Sequence, residues 1–174
     1  MITIVSATNR PDSNTLKIAL EYQRLLKEKG HTASLLNLEN LPASVMSGLI
    51  FDEADAAFDA VQEEYLFPAK KFIFVTPEYN GSIPGVLKIM IDVSNIKKAY
   101  HGKKAMLVGV ATGRAGNLRG MDHLTGVLNH LKMSVYWNKL PISKVSEELD
   151  ASGQLFKAPT LKAVHHQIEE FITF

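Results

Sequence analysis

Cysteine is absent from the 174-residue sequence. That one absence removes disulfides, Cys-ligated zinc, iron–sulfur clusters and thiol nucleophiles together. An excess of charge of either sign is also lacking: 19 Lys and Arg stand against 18 Asp and Glu, for a net +1 without an acidic or basic block. A nucleic-acid or anionic-membrane footprint needs such a block, so no nucleic acid and no membrane is expected as a partner. No apolar run approaches the length of a membrane span. Residues 1–5 (Met-Ile-Thr-Ile-Val) are too short, and lack the basic flank, for a secretory signal. The expected location is cytoplasmic. Also missing are the G-x-x-x-x-G-K-[ST] loop of nucleoside-triphosphate sites, the G-x-G-x-x-G dinucleotide fingerprint and the G-x-S-x-G nucleophile elbow.

What is present is an ordinary globular balance, 46% hydrophobic and 21% charged, in a chain long enough to bury a sizeable core. One domain over residues 1–174 is expected. The pattern alternates strands with helices. Strands are predicted over 2–6, 32–38, 72–75, 105–111 and 133–137. Helices are predicted over 14–29, 53–66, 86–98 and 118–131, with a closing helix striped by Leu161, Val164, Ile168, Phe171 and Ile172. Residues 146–157 are polar and read as a mobile loop. Five βα units of this size imply a parallel sheet covered on both faces. The expected fold is a doubly wound five-stranded sheet in the order 2-1-3-4-5, with its ligand crevice beside strands 1 and 3.

Chemistry should therefore lie in the loops that leave the strands. The richest is Thr76-Pro77-Glu78-Tyr79-Asn80-Gly81-Ser82-Ile83-Pro84-Gly85, between the buried run Phe72-Ile73-Phe74-Val75 and the third helix. Pro84 suits that helix's first turn, and Ser82 is placed to cap it. After strand 1, Ser6-Ala7-Thr8-Asn9-Arg10-Pro11-Asp12-Ser13-Asn14-Thr15 runs into a helix start, where hydroxyls, free N–H groups and Arg10 suit a phosphate. After strand 4 comes Thr112-Gly113-Arg114-Ala115-Gly116-Asn117, whose glycines let backbone approach a flat ligand. His123 and His130 share a helix face without a third ligand, and His165 and His166 cannot face one way, so no metal site is expected.

Residues 6–15, with Arg10-x-x-Ser13-Asn14-Thr15 after an apolar strand, resemble the phosphate loop of the NAD(P)H-dependent FMN reductases, a family of the flavodoxin-like superfamily. Pro77-Glu78-Tyr79-Asn80-Gly81-Ser82-Ile83-Pro84-Gly85, followed by Leu87-Lys88 and Asp92, is similar to that family's P-E-Y-N-x-S-x-P-G-x-L-K-x-x-x-D signature. Leu149-Asp150-x-x-Gly153 resembles its late acidic turn. Ser6-Ala7-Thr8-Asn9 stands where many members have Gly-Ser before the Arg.

The resemblance implies a flavodoxin-like fold holding one FMN. Its phosphate would lie at Ser6, Thr8, Arg10, Ser13, Asn14 and Thr15. Its ring would lie against Pro77, Glu78, Tyr79, Asn80, Gly81 and Ser82. Thr112, Gly113, Arg114, Gly116 and Asn117 would close the other side. The implied reaction passes a hydride from NADPH or NADH to a quinone, azo compound, metal oxyanion or free flavin, with no side chain acting as catalytic acid or base. With no second glycine fingerprint, FMN is expected and not FAD. Lys97, Lys98, Lys103 and Lys104 read as a solvated turn with a weak attraction for the extra phosphate of NADPH. A flavodoxin-type electron carrier and a non-catalytic FMN-binding protein remain as alternatives. A homodimer or homotetramer is expected as well. Leu87 and Ile91 widen the apolar arc of the third helix, and Val127 and Leu131 widen that of the fourth.

Overall fold

The protein is described here from a computed structural model, over residues 1–51 and 55–174. Its strands are β1 (Ile2–Ser6), β2 (Ala33–Asn37), β3 (Lys71–Pro77), β4 (Lys104–Val110), β5 (Ser134–Val135) and β6 (Leu140–Ile142). Its α-helices are α1 (Asn14–Glu28), α2 (Ala56–Val61), α3 (Gly85–Val93), α4 (Ile96–Ala99), α5 (Leu118–His130) and α6 (Ala158–Thr173). All strand pairs are parallel, in the order β2-β1-β3-β4-β5, with β6 also pairing β4. That is the expected doubly wound order.

Side-chain alternation along the strands sorts two cores. Phe72 and Phe74 of β3 face α2, α3 and α5, where Phe58, Leu66, Leu87, Met90, Leu124 and Leu128 are buried. Ile73 and Val75 face α1 and α6, meeting Ile18, Tyr22, Leu25, Val164, Ile168 and Phe171. A strand with apolar residues at every position is therefore buried on both faces, as its sequence implied.

The fifth strand differs from the single segment expected over 133–137. β5 pairs only with Lys104 and Ala105, and the edge resumes as β6 beside Val108–Val110. Between them Tyr136 turns inward against Phe171 and Phe174, and Trp137 faces solvent. The side chain of Gln167, fully buried on α6, fills the gap. Its Nε2 donates to Leu107 O at 3.2 Å and Asn138 O at 2.7 Å, and its Oε1 accepts from Tyr22 OH at 2.6 Å. A buried carbonyl left without a strand partner needs such a donor.

Other expectations are corrected. The helix expected over 86–98 breaks at Ser94, whose Oγ donates back to Met90 O at 2.5 Å, while Asn95 caps a separate α4. Residues 53 and 54 of the helix expected over 53–66 lie outside the described residues; the described part is α2 followed by a π-helical turn, Gln62–Leu66. Leu118, the first residue of α5, is exposed, so the buried apolar stripe of that helix starts at Met121. Leu87 and Ile91 are buried in their own chain, since the 3₁₀ turn Ala43–Met46 packs on α3 and covers a second side of it. Leu131 is likewise buried and Val127 packs on the same core, so these four residues form no spare apolar face.

Residues 146–157 are built rather than loose. Leu149 and Leu155 form a β-bridge around an Asp150 turn, and Glu148 accepts from Thr160 Oγ1 at 2.7 Å. Lys103 and Lys104 stand at the amino ends of the strands, away from the ligand edge. Lys103 Nζ donates to Leu66 O and Phe67 O and Lys104 Nζ to Phe174 O, capping helix ends whose carbonyls lack intrahelical partners. Burial pulls the Lys103 ammonium down to about 8. Among the described residues no helix is long and apolar enough to cross a membrane, and no group of three or more His, Asp and Glu is placed to hold a metal.

Candidate functional site

The loop after β1 continues the ladder for one residue, with Ala7 N donating to Val75 O at 2.9 Å. Thr8 is fully buried, and its Oγ1 lies 2.7 Å from Tyr79 OH and accepts from Arg10 N at 3.2 Å. The β1 and β3 loops are thus tied together. Ser13 is the N-cap of α1, in extended conformation, with its Oγ accepting from Leu16 N at 3.1 Å. The backbone N–H groups of Asn14 and Thr15 have no acceptor among the described residues. Such first-turn donors, at the positive end of a 15-residue helix, suit an anion. Arg10 is exposed and makes no ion pair among the described residues, whereas Asp12 is held by Lys17 at 3.2 Å.

The loop after β3 folds as a miniature hairpin. Tyr79 and Ser82 exchange two backbone hydrogen bonds, of 2.9 and 3.1 Å, around Asn80 and Gly81. Both central residues have positive φ, +52° and +76°, which makes a type I′ turn and explains Asn-Gly in that order. Gly81 N also donates to Glu78 Oε1 at 3.0 Å. Ser82 does not cap α3. Its place in the bridge puts it too far back, Pro84 takes the N-cap position, and Ser82 Oγ meets His123 Nδ1 of α5 at 2.9 Å. His123, exposed on α5, thereby braces the end of the hairpin.

These loops enclose a cleft of about 360 Å³ at the carboxyl edge of the sheet, lined by residues 10–15, 77–79, 110–112 and Val145. That volume is within the range of small-molecule sites. A larger hollow of about 700 Å³ lies between α1, the start of β2 and the 152–154 turn and shares no lining residue with this cleft.

Of the residues expected to bind, Arg10, Ser13, Asn14, Thr15, Pro77, Glu78, Tyr79 and Thr112 line the cleft. Asn80, Gly81 and Ser82 form the hairpin beside it. Gly113 and Arg114 are exposed beyond its lining. Four residues are turned away. Ser6 and Thr8 are fully buried under the loop, and Gly116 lies against Pro141. Asn117 is 1% exposed and its Nδ2 donates inward to Thr76 O and Pro77 O, both at 3.0 Å. Gly116 therefore serves close packing against Pro141, whereas Gly113 has open space around it. Val110, Ala111 and Val145 were not foreseen. Val145 is brought in by Val145 N donating to Ala111 O and Lys144 N to Gly113 O, contacts that no local pattern announces.

Residues 1–147 match the family model of the NADPH-dependent FMN reductases. An NAD(P)H-dependent FMN reductase of Pseudomonas aeruginosa is 33% identical over 110 residues, covering 61% of this chain and 59% of that one. A 2-hydroxy-1,4-benzoquinone reductase of Burkholderia sp. is 29% identical over 126 residues, 70% of this chain and 66% of that one. The matches thus span about three-fifths to two-thirds of these relatives' lengths. In fold, the chain superposes on the flavoenzyme NAD(P)H:(acceptor) oxidoreductase FerB of Paracoccus denitrificans with a TM-score of 0.82 at 20% identity, covering 99% of this chain and 94% of that one. With its Arg10 loop and its Pro77–Gly85 motif inside the matched span, the chain belongs to the NADPH-dependent FMN reductase family.

Proposed function

We propose that this protein is an FMN-dependent oxidoreductase that takes a hydride from NADPH or NADH and passes it to a small acceptor: a quinone, an azo compound, a metal oxyanion or free flavin. The observation that carries this reading is a cleft lined by the loops of β1, β3 and β4, with Arg10 and the α1 N-terminus in its wall together with Glu78 and Tyr79 at the base of the Asn80-Gly81 hairpin. The donor set fits a flavin mononucleotide. Arg10 and the Asn14 and Thr15 N–H groups would hold a phosphate dianion, and Pro77, Glu78, Tyr79 and Thr112 would border the ring. FMN, when bound, supplies the hydride exchange between dinucleotide and acceptor. The chain's own part is to bind and orient. The Thr8–Tyr79 hydroxyl contact and the hairpin hydrogen bonds fix the cleft walls. The names of the two curated relatives, an FMN reductase and a benzoquinone reductase, favour the same class of acceptor.

The absorbance spectrum of the purified protein before and after anaerobic NADPH tests this reading. A flavin spectrum bleached by NADPH is expected, and heat should release FMN; a colourless protein that takes up no FMN, or FAD as the released species, would refute it. A flavodoxin-type carrier is disfavoured by the net charge of +1, since docking of that kind uses a strongly single-signed face. A carrier would bind FMN but turn over no NADPH. A homodimer or homotetramer is proposed on family likeness alone, because Leu87 and Ile91 are used inside the chain; a 19.2 kDa species at sedimentation equilibrium would refute it. A reaction that draws on NAD(P)H also fits the cytoplasm.

A further inference from the structure

Asn117 is of a residue type well suited to cap a helix, and it occupies the N-cap of α5, yet it makes no capping hydrogen bond. Its φ is +65°, and its side chain lies over Gly120 in the first turn without accepting a capping hydrogen bond there. Both donors available from Nδ2 point instead to Thr76 O and Pro77 O, the last two carbonyls of β3, at 3.0 Å each. Its Oδ1 is buried with no hydrogen-bond partner among the described residues. The slot is shaped around this side chain. A methyl group on Gly120 would come within 2.1 Å of Asn117 Oδ1, and one on Gly109 within 3.2 Å of Asn117 Cβ and 2.0 Å of Gly116 O. Forgoing the cap and burying an unpaired oxygen both work against stability. What the arrangement achieves is a fixed end to β3, one residue before Glu78 enters the cleft.

We propose that Asn117 is a positioning residue: it pins the root of the 78–82 hairpin to α5, and so sets the ring end of the flavin cleft. The inference rests on the flavin reading of that cleft. The same helix holds the hairpin tip, through His123 and Ser82, so α5 braces the hairpin at two points. Between those points the hairpin is held by its own two backbone bonds, by Glu78 N donating to Val110 O at 3.1 Å, by Gly81 N donating to Glu78 Oε1 and by the Tyr79–Thr8 contact. Asparagine suits the position doubly, since it tolerates positive φ and carries two amide donors.

The clean variant is Asn117→Gly, which keeps the backbone conformation and removes the amide. In cofactor-free protein, hydrogen exchange at Tyr79, Gly81 and Ser82 should quicken roughly tenfold, with β4 and α6 unchanged, as expected for losing about one net hydrogen bond locally. FMN affinity should fall by a similar factor, and the visible band of bound flavin should shift. Asn117→Asp preserves size but turns a carboxylate toward two carbonyls, so its FMN affinity should recover as the pH falls and protonation restores a donor. Unchanged exchange at 79–82, or a rise spread equally over β4 and α6, would overturn the proposal, as would a flat pH profile for Asn117→Asp. If the parent takes up no FMN but the hairpin still loosens in Asn117→Gly, the clamp stands and the flavin reading fails.

Discussion

Arg10 offers the sharpest test of the phosphate end of the cleft. The side chain is exposed, has no ion pair among the described residues and lines the cleft beside the α1 N-terminus. Replacing it with alanine buries no charge and opens no cavity. Stability without cofactor should therefore stay within about 0.5 kcal/mol of the parent, as for other surface changes. A hydrogen bond to a charged group contributes about 1.5–3 kcal/mol, so FMN affinity in Arg10→Ala should drop roughly 10- to 150-fold. Titration by quenching of flavin fluorescence reads this directly. Riboflavin, which lacks the phosphate, provides the second arm and should bind parent and variant alike. Raising the salt should weaken FMN more in the parent than in the variant, because the attraction being screened is the one removed. Equal FMN affinity in the two proteins, or an equal loss for FMN and riboflavin, would show that Arg10 does not hold the phosphate.

Gln167→Ala should cost about 3–5 kcal/mol in urea unfolding, because it strands Tyr22 OH, Leu107 O and Asn138 O in the core; a loss under about 1 kcal/mol would mean that water replaces it. Gly81→Ala has room, with only Arg119 Nη1 within 4 Å, but its φ of +76° is strained for any side chain. It should lose about 1–2 kcal/mol in hairpin stability, read as weaker FMN binding, whereas Gly85→Ala, at the start of α3 with nothing nearby, should be neutral or stabilising in melting temperature. The hydrogen bond from Tyr136 holds the Glu170 carboxyl below its ordinary value. A carboxylate with a depressed folded pKa stabilises above its unfolded pKa, so the parent should lose melting temperature as the pH falls below about 4.5. In Tyr136→Phe that acid loss should shrink while stability at pH 7 falls; an unchanged acid limb would refute the link.

The cores of β3 and β4, expected over 72–75 and 105–111, were legible because burial on both faces leaves an apolar run there. The α1 stripe was legible for the corresponding reason, a 3.6-residue period. Part of the cleft lining was legible too: Arg10, Ser13, Asn14 and Thr15 line it, since a helix start advertises its caps locally. Less was legible where a residue's partner is distant. Ser82 looked like a helix cap until the hairpin claimed it, and Thr8 and Asn117 looked like ligand donors although their polar atoms meet Tyr79 and β3. Leu87 and Ile91 suggested an interface because nothing local reveals that the turn Ala43–Met46 lies over α3.

By itself, the sequence determined most element types and pointed to the order of the parallel sheet, since periodicity, turn residues and caps act over a few neighbours. Tertiary structure alone decided which polar side chains face the cleft and which are bound inward. It broke the fifth strand, with Gln167 reaching Leu107 across 60 positions, and it pinned Pro77 to Asn117 across 40. The physical reason is that a hydroxyl or amide has no preferred face until burial leaves it one available partner.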